Sequence, residues 1–204
     1  MKSIFAAILL MSLASACSAP KPEDMERNLA TAPAQATLDD GVVIQTQPEA
    51  DTLKGSLRAK GVGTIGTTNF IIRYHSPAVR GRIVWGGLVP FDRVWVTGAH
   101  MATSLEIDQN VTIGNTPVPA GKYGLFTIPG KDNWTIIINR NWEQHLTDEY
   151  SEKDDVVRIT MKPEQESTNQ ERLRYVIESE SGNEGKIVLY WEKLEVSLPV
   201  TVMK

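Results

Sequence analysis

The sequence predicts an all-β fold, an antiparallel β-sandwich or jelly-roll-like single domain with one short helix. First, apolar residues alternate with period two through most of the chain after residue 53, as in half-buried strands. Second, clusters of Gly, Pro and Asn separate these segments, as turns do. Third, only residues 141–150 have a helical pattern, and they are few. Many short strands divided by such turns are typical of sandwiches and jelly rolls.

The strands can be assigned in order along the chain. Phe70, Ile72 and Tyr74 fall on one face of the first clear strand, residues 67–74. The next is residues 104–108, where Leu105 and Ile107 share a face. The remaining candidates are residues 111–113, 122–128, 134–139, 156–161, 172–179, 186–194 and 196–202. Turn residues lie between them, for example at 114–115, 129–132 and 181–183.

The N-terminus predicts an exported lipoprotein. Residues 1–16 form a signal peptide, with Lys2 followed by an apolar run at 4–13 that is too short to span a bilayer stably. Small residues then precede Cys17, and residues 13–17 resemble a lipobox, in which the cysteine is lipidated. The alternative is a plain signal peptide with a chance cysteine.

Two regions follow the signal peptide. Residues 17–52 are rich in Pro, Ala, Asp and Glu and predict a lipidated cysteine on a flexible tether. Residues 53–204 are long enough for one domain. Because Cys17 is the only cysteine, the domain has no disulfide, no thiolate nucleophile and no cysteine metal ligand.

The composition and motifs argue against several function classes. The net charge is −4 and no basic block occurs, so we expect no nucleic-acid partner. His75, His100 and His145 lack chelating spacing, so we expect no metal. Residues 61–66 match GxGxxG, but a strand-like segment follows instead of a helix, which indicates a turn between strands and no dinucleotide cofactor. No nucleophile elbow, CxxC or P-loop occurs, and we assign no catalytic residue.

A binding site is predicted around the irregular segment 79–100, VRGRIVWGGLVPFDRVWVTGAH. It is too irregular for one strand and too rich in Gly and Pro for one helix. Arg offers a planar fork for carboxylate or phosphate, and Trp an apolar platform. Trp134 and Trp191 sit at strand positions and are expected in the core, whereas Trp85 and Trp95 fit core or ligand equally. The candidate binding residues are Tyr74, Arg80, Arg82, Trp85, Trp95, Thr97, His100 and Thr103.

The same segment carries a resemblance to a known family. Residues 74–77 (YHSP), 80–91 (RGRIVWGGLVPF), 94–99 (VWVTGA), 102–103, 111–113, 120–129 (AGKYGLFTIP) and 134–139 (WTIIIN) together resemble the bacterial DUF2911 family, a domain of unknown function. The resemblance implies an exported β-rich domain, often on a lipoprotein, with no reaction to carry over.

This chain also departs from the family pattern. His75-Ser76-Pro77 stands where Ser-Arg-Pro is usual, Val96 where Arg is usual, and His100 where Asn is usual. The histidines are therefore poor candidates for a chemistry that the family shares.

Three functions remain open at this point. The leading hypothesis is a noncatalytic binding module of the cell envelope, held at the membrane by its N-terminal lipid, that binds a glycan, a peptide or an envelope protein. The second is a hydrolase of envelope material, which predicts a buried His100 or His145 beside a carboxylate in a concave pocket. The third is a structural envelope protein without a small-molecule site, in which the arginines close a polar corner through backbone carbonyls.

Overall fold

The structure, a computed structural model, describes residues 35–37, 41–45 and 55–203. The predicted signal peptide 1–16, Cys17 and most of the predicted tether lie outside the described residues. Two described parts of the tether range are strands, β1 (Gln35–Thr37) and β2 (Val42–Gln45), and β2 pairs with the first strand of the domain.

The predicted antiparallel sandwich is confirmed. The further strands are β3 (Leu57–Ile65), β4 (Thr68–Ser76), β5 (Thr103–Ile107), β6 (Val111–Ile113), β7 (Thr116–Val118), β8 (Gly121–Pro129), β9 (Trp134–Asn139), β10 (Asp155–Met161), β11 (Glu164–Ser179) and β12 (Glu184–Val202). One sheet has eight strands in the order β1-β2-β3-β4-β5-β8-β9-β10, and the other has four in the order β11-β12-β6-β7. In the described ranges, no helix is long and apolar enough to cross a membrane.

The short helix expected at residues 141–150 does not form, because side chains take the place of helical hydrogen bonds. The amide of Gln144 is buried, donates to the carbonyl of Asn141 and accepts the backbone N–H of Glu149. Leu146 has a φ of 48°, which is incompatible with a right-handed α-helix. The segment is a series of turns, and a single 3₁₀ turn, Glu152–Asp154, follows it.

The glycines of the GxGxxG match also differ from the prediction. Gly61 and Gly63 lie inside β3, and only Gly66, with φ of 56°, lies in the turn before β4. A Cβ on Gly63 would lie 2.6 Å from the Cβ of Ile177 on the other sheet. Gly61 and Gly63 are therefore explained by close approach of the two sheets, and only Gly66 by turn geometry.

The core lies between the two sheets. Along β4, Phe70, Ile72 and Tyr74 are buried as their alternation predicts. Trp134 and Trp191 are fully buried, as expected for core tryptophans. A smaller cluster forms on the outer face of the eight-stranded sheet, where Phe126 and Ile137 pack against Val96 and Ala102 of the β4–β5 connection.

Candidate functional site

The candidate binding segment lies in the long connection between β4 and β5, residues 77–102. The connection is pinned to both sheets. The backbone N–H of Val79 donates to the carbonyl of Glu171 on β11, and Trp95 exchanges two backbone hydrogen bonds with Thr127 on β8. The connection thus bridges the two layers and is held at both ends.

A cavity of about 370 Å³ lies beside this connection, within the range of small-molecule pockets. It contains four of the eight predicted residues, Arg80, Arg82, Trp95 and His100. We call it the loop cavity; besides those four residues, its lining includes Ser56, Leu88, Val89, Ala99, Leu146 and Trp191. Five of its members come from outside the predicted segment, namely Gly55, Ser56, Pro77, Leu146 and Trp191.

Tyr74, Thr97 and Thr103, which the sequence suggests as binding residues, are buried and do not line the loop cavity. The hydroxyl of Thr97 donates to that of Thr127, and the hydroxyl of Thr103 donates to the carbonyl of Thr97. The hydroxyl of Tyr175 donates to the same carbonyl. The threonines therefore hold the connection in place instead of facing a ligand.

Trp85 and Trp95 belong to a cluster of four tryptophans. The ring of Trp95 stacks on that of Trp191 at 5.8 Å between centroids, and Trp85 lies edge-on to Trp134 at 4.8 Å. The indole N–H of Trp95 donates to the carbonyl of Gly98. Trp85 lines a separate cavity, so of these two tryptophans only Trp95 lines the loop cavity, and its ring already packs against Trp191, Trp85 and Trp134.

Backbone strain is concentrated around the loop cavity. Arg80, His100 and Leu146 all line it, and their φ angles are 52°, 60° and 48°. Thr97, which supports the connection from inside, has φ of 52° although its side chain is β-branched. Such conformations are costly for residues other than glycine and tend to cluster at functional sites.

The two arginines are held differently. Arg82 donates from Nε to the carbonyl of Val79 and from Nη2 to that of Ala78. The backbone N–H of Arg80 donates to the carboxylate of Glu171. The Arg80 guanidinium has no hydrogen-bond or ion-pair partner in the part of the chain that the structure describes. Arg82 is therefore fixed by the connection itself, whereas the charge of Arg80 is available to a ligand.

The histidines do not form the arrangement that the hydrolase hypothesis predicts. His100 is exposed, and its ring contacts that of His75 at 5.3 Å rather than a carboxylate. His145 lies 3.1 Å from Asp148, but more than half of each side chain is exposed. Across residues 55–203 and the two short described strands, no three His, Cys, Asp or Glu side chains group in a way that could hold a metal.

Sequence reasoning did not identify Leu146 and Trp191 as members of the site. Trp191 lies in the core, as its strand position predicts, and it also lines the loop cavity. Leu146 is an exposed leucine in a turn, and only the loss of the expected helix brings it beside His100, whose carbonyl accepts its N–H.

The comparisons with known proteins give one match. A family model described as "Protein of unknown function (DUF2911)" matches residues 56–200, which includes the loop cavity except for Gly55. No curated protein and no solved structure gives a significant match.

Proposed function

Because the chain belongs to the DUF2911 family, whose function is unknown, we propose a function from the geometry of the loop cavity: this domain is a noncatalytic module that binds a peptide segment of an envelope protein. The proposal rests on one observation: the loop cavity, whose lining residues include three non-glycine residues with positive φ, combines a positive charge that is unpaired among the described residues with exposed apolar side chains. Arg80 and His100 would receive a carboxylate, and Leu88 and Leu146 an apolar side chain.

The distribution of exposed hydrophobic side chains supports a protein partner. Leu88 and Leu146 are 41% and 42% exposed and line the loop cavity. Ile83, in the same connection, is 78% exposed, and Met101, next to His100, is 42% exposed. Exposed apolar groups gathered in one region, rather than scattered singly, are typical of interaction surfaces.

A glycan fits the cavity less well. Sugar rings bind by stacking on open aromatic faces. Trp191 is fully buried, and the ring of Trp95 stacks on Trp191 and makes T-shaped contacts with Trp85 and Trp134. The aromatic cluster therefore provides a rigid wall but not a stacking platform.

A peptide-binding experiment tests the proposal. The full chain is screened against short random peptides, each with a free and with an amidated C-terminus, and binding is measured by fluorescence polarisation. We expect selection for aliphatic side chains and a carboxylate. Arg80→Gln should weaken binding about tenfold or more, because it removes a charge-assisted hydrogen bond.

Arg93→Gln is the matched control, since Arg93 is an exposed arginine of the same connection that does not line the cavity. It should bind as the wild type does, and both variants should keep the wild-type melting temperature. If no peptide is selected, or if the two variants bind equally well, the loop cavity is not a peptide site. If a parallel glycan screen found sugars whose binding is weakened by Arg80→Gln, the peptide assignment would also be wrong.

We also propose that the domain is exported and anchored to the membrane by a lipid on Cys17, as the lipobox-like residues 13–17 suggest. In cells fed an alkyne fatty acid, the full chain should be labelled and should sediment with membranes. Cys17→Ser should lose the label and move to the soluble exported fraction. Equal labelling of the two proteins would contradict the proposed anchor.

A further inference from the structure

A second cavity, of about 350 Å³, lies on the outer face of the eight-stranded sheet. Its floor is formed by side chains that alternate with core residues along the strands, since Ala59 and Tyr123 point inwards and their neighbours outwards. We call it the outer cleft and define it by Arg58, Lys60, Arg73, His75, Lys122 and Trp142.

The pairing of β3 with β4 places like charges opposite each other. Lys60 is the direct cross-strand partner of Arg73, and Arg58 is that of His75, whose imidazole carries a charge only when protonated. Like charges in such pairs are destabilising. The neighbouring pair of β5 and β8 follows the opposite rule, with Glu106 opposite Lys122. The pair Lys60–Arg73 therefore places two permanent positive charges side by side at the cleft.

The carboxylates near the cleft do not neutralise it. Glu106 lies 2.7 Å from Arg73 and 3.2 Å from Lys122, so one carboxylate serves both cations. Hydrogen bonding from Arg73 lowers the pKa of Glu106, which keeps it charged. Arg58 and Lys60 have no carboxylate within salt-bridge distance among the residues that the structure describes. With Glu143 also at the cleft, four permanent cations face two carboxylates, and an excess of two positive charges remains.

The pKa of His75 reflects both its burial and its positive surroundings. Its pKa is lowered by burial, then by His100 and then by Arg58, so its imidazole tends to stay neutral and can still donate one hydrogen bond. On the opposite wall, the ammonium of Lys122 lies 3.5 Å from the ring centre of Trp142. This contact holds the lysine at the cleft by a cation–π interaction.

The chain as a whole is acidic, with a net charge of −4, so this cationic cluster does not follow from composition. The cluster costs stability in the free protein, and a bound dianion would offset that cost. Two arginines, two lysines and a hydrogen-bonding imidazole around a cavity of this size match the charge and the acceptor oxygens of a phosphate monoester.

We infer that the outer cleft is a second binding site, separate from the loop cavity, for a small ligand that carries a phosphate monoester. Arg58 and Lys60 supply the uncompensated charge, and Arg73, His75 and Lys122 complete the ring of donors. The same group could come from a soluble ester or from a lipid headgroup.

A titration at low ionic strength tests the inference. The full chain is titrated with inorganic phosphate, with glycerol 3-phosphate, and with phosphatidylcholine vesicles with or without phosphatidic acid. We expect saturable binding of at least one phosphate probe, and preference for the ester or for the phosphatidic acid vesicles identifies its source. Arg58→Gln/Lys60→Gln should weaken this binding about tenfold or more.

Arg93→Gln/Lys153→Gln removes the same number of charges from exposed positions outside the cleft and should bind as the wild type does. Without ligand, the Arg58→Gln/Lys60→Gln protein should melt no lower than this control, because a like-charge pair is relieved. Absence of binding to every probe, equal weakening in both double variants, or a marked loss of stability in the cleft variant would each overturn the inference. Because neither cleft residue lines the loop cavity, peptide binding should persist in the cleft variant, which separates this test from that of the peptide proposal.

Discussion

Replacing Trp191 with Ala is expected to lower the free energy of unfolding by about 3–5 kcal/mol, as deletion of large buried aromatics does. Trp191 is fully buried on β12, stacks on Trp95 and meets Trp85 edge-on at 5.6 Å. Its loss opens a cavity between the sheets and removes the wall on which the β4–β5 connection rests. Urea unfolding at equilibrium measures the effect.

Trp191→Phe is the matched control for this prediction. The indole N–H of Trp191 is buried without a hydrogen-bond partner in the described residues. Replacement by phenylalanine therefore removes this polar group without breaking a hydrogen bond. It also keeps a ring in the stack. The Phe variant should therefore lose much less stability than the Ala variant. Similar losses in both variants would show that the cluster is not held by aromatic packing.

Replacing Arg172 with Met is expected to lower the free energy of unfolding by about 2–3 kcal/mol, because a buried acceptor loses a charged donor. Arg172 on β11 is only 7% exposed, and its Nη1 donates to the carbonyl of Ser76 at the end of β4. Beside it, the N–H of Leu173 donates to the carbonyl of Pro77. Arg172 thus fixes the start of the connection that forms the loop cavity.

Two measurements check the Arg172 prediction. Urea unfolding should show the loss of stability, and amide hydrogen exchange should become faster at Val79 and Leu173, whose N–H groups make the adjoining contacts. Arg93→Met is the control, because Arg93 is exposed. If exchange at Val79 and Leu173 were unchanged, Arg172 would not be the residue that anchors the connection.

The alternation of apolar and polar residues was sufficient to predict the sandwich. A strand that buries one face has an apolar residue at every second position, whatever it packs against. Tryptophans at strand positions could be placed in the core for the same reason. The helix at residues 141–150 could not be judged in this way. Its helical pattern was overridden by the side-chain amide of Gln144, which bonds the backbone of the turns and is buried under them.

The candidate site was predicted only in part. One cavity contains Arg80, Arg82, Trp95 and His100, because the connection folds as a unit. Their closeness in the sequence was enough to predict that they lie together. Thr97 and Thr103 resemble them in sequence but face inwards. Thr97 lies in irregular backbone, where alternation gives no guide, and Thr103 begins β5 on the same face as Leu105. The outer cleft escaped notice because its charges lie on separate strands, and only the register brings Lys60 opposite Arg73.

The four clustered tryptophans have an optical consequence. Indole rings at centroid distances of 4.8 to 6.4 Å couple their electronic transitions, so the cluster should give an exciton signal in circular dichroism and partly quenched fluorescence. Trp142 is not one of the four and would emit independently. The protein therefore contains its own spectroscopic reporter on the packing of the β4–β5 connection, and a ligand that shifts Trp95 would be visible without any added dye.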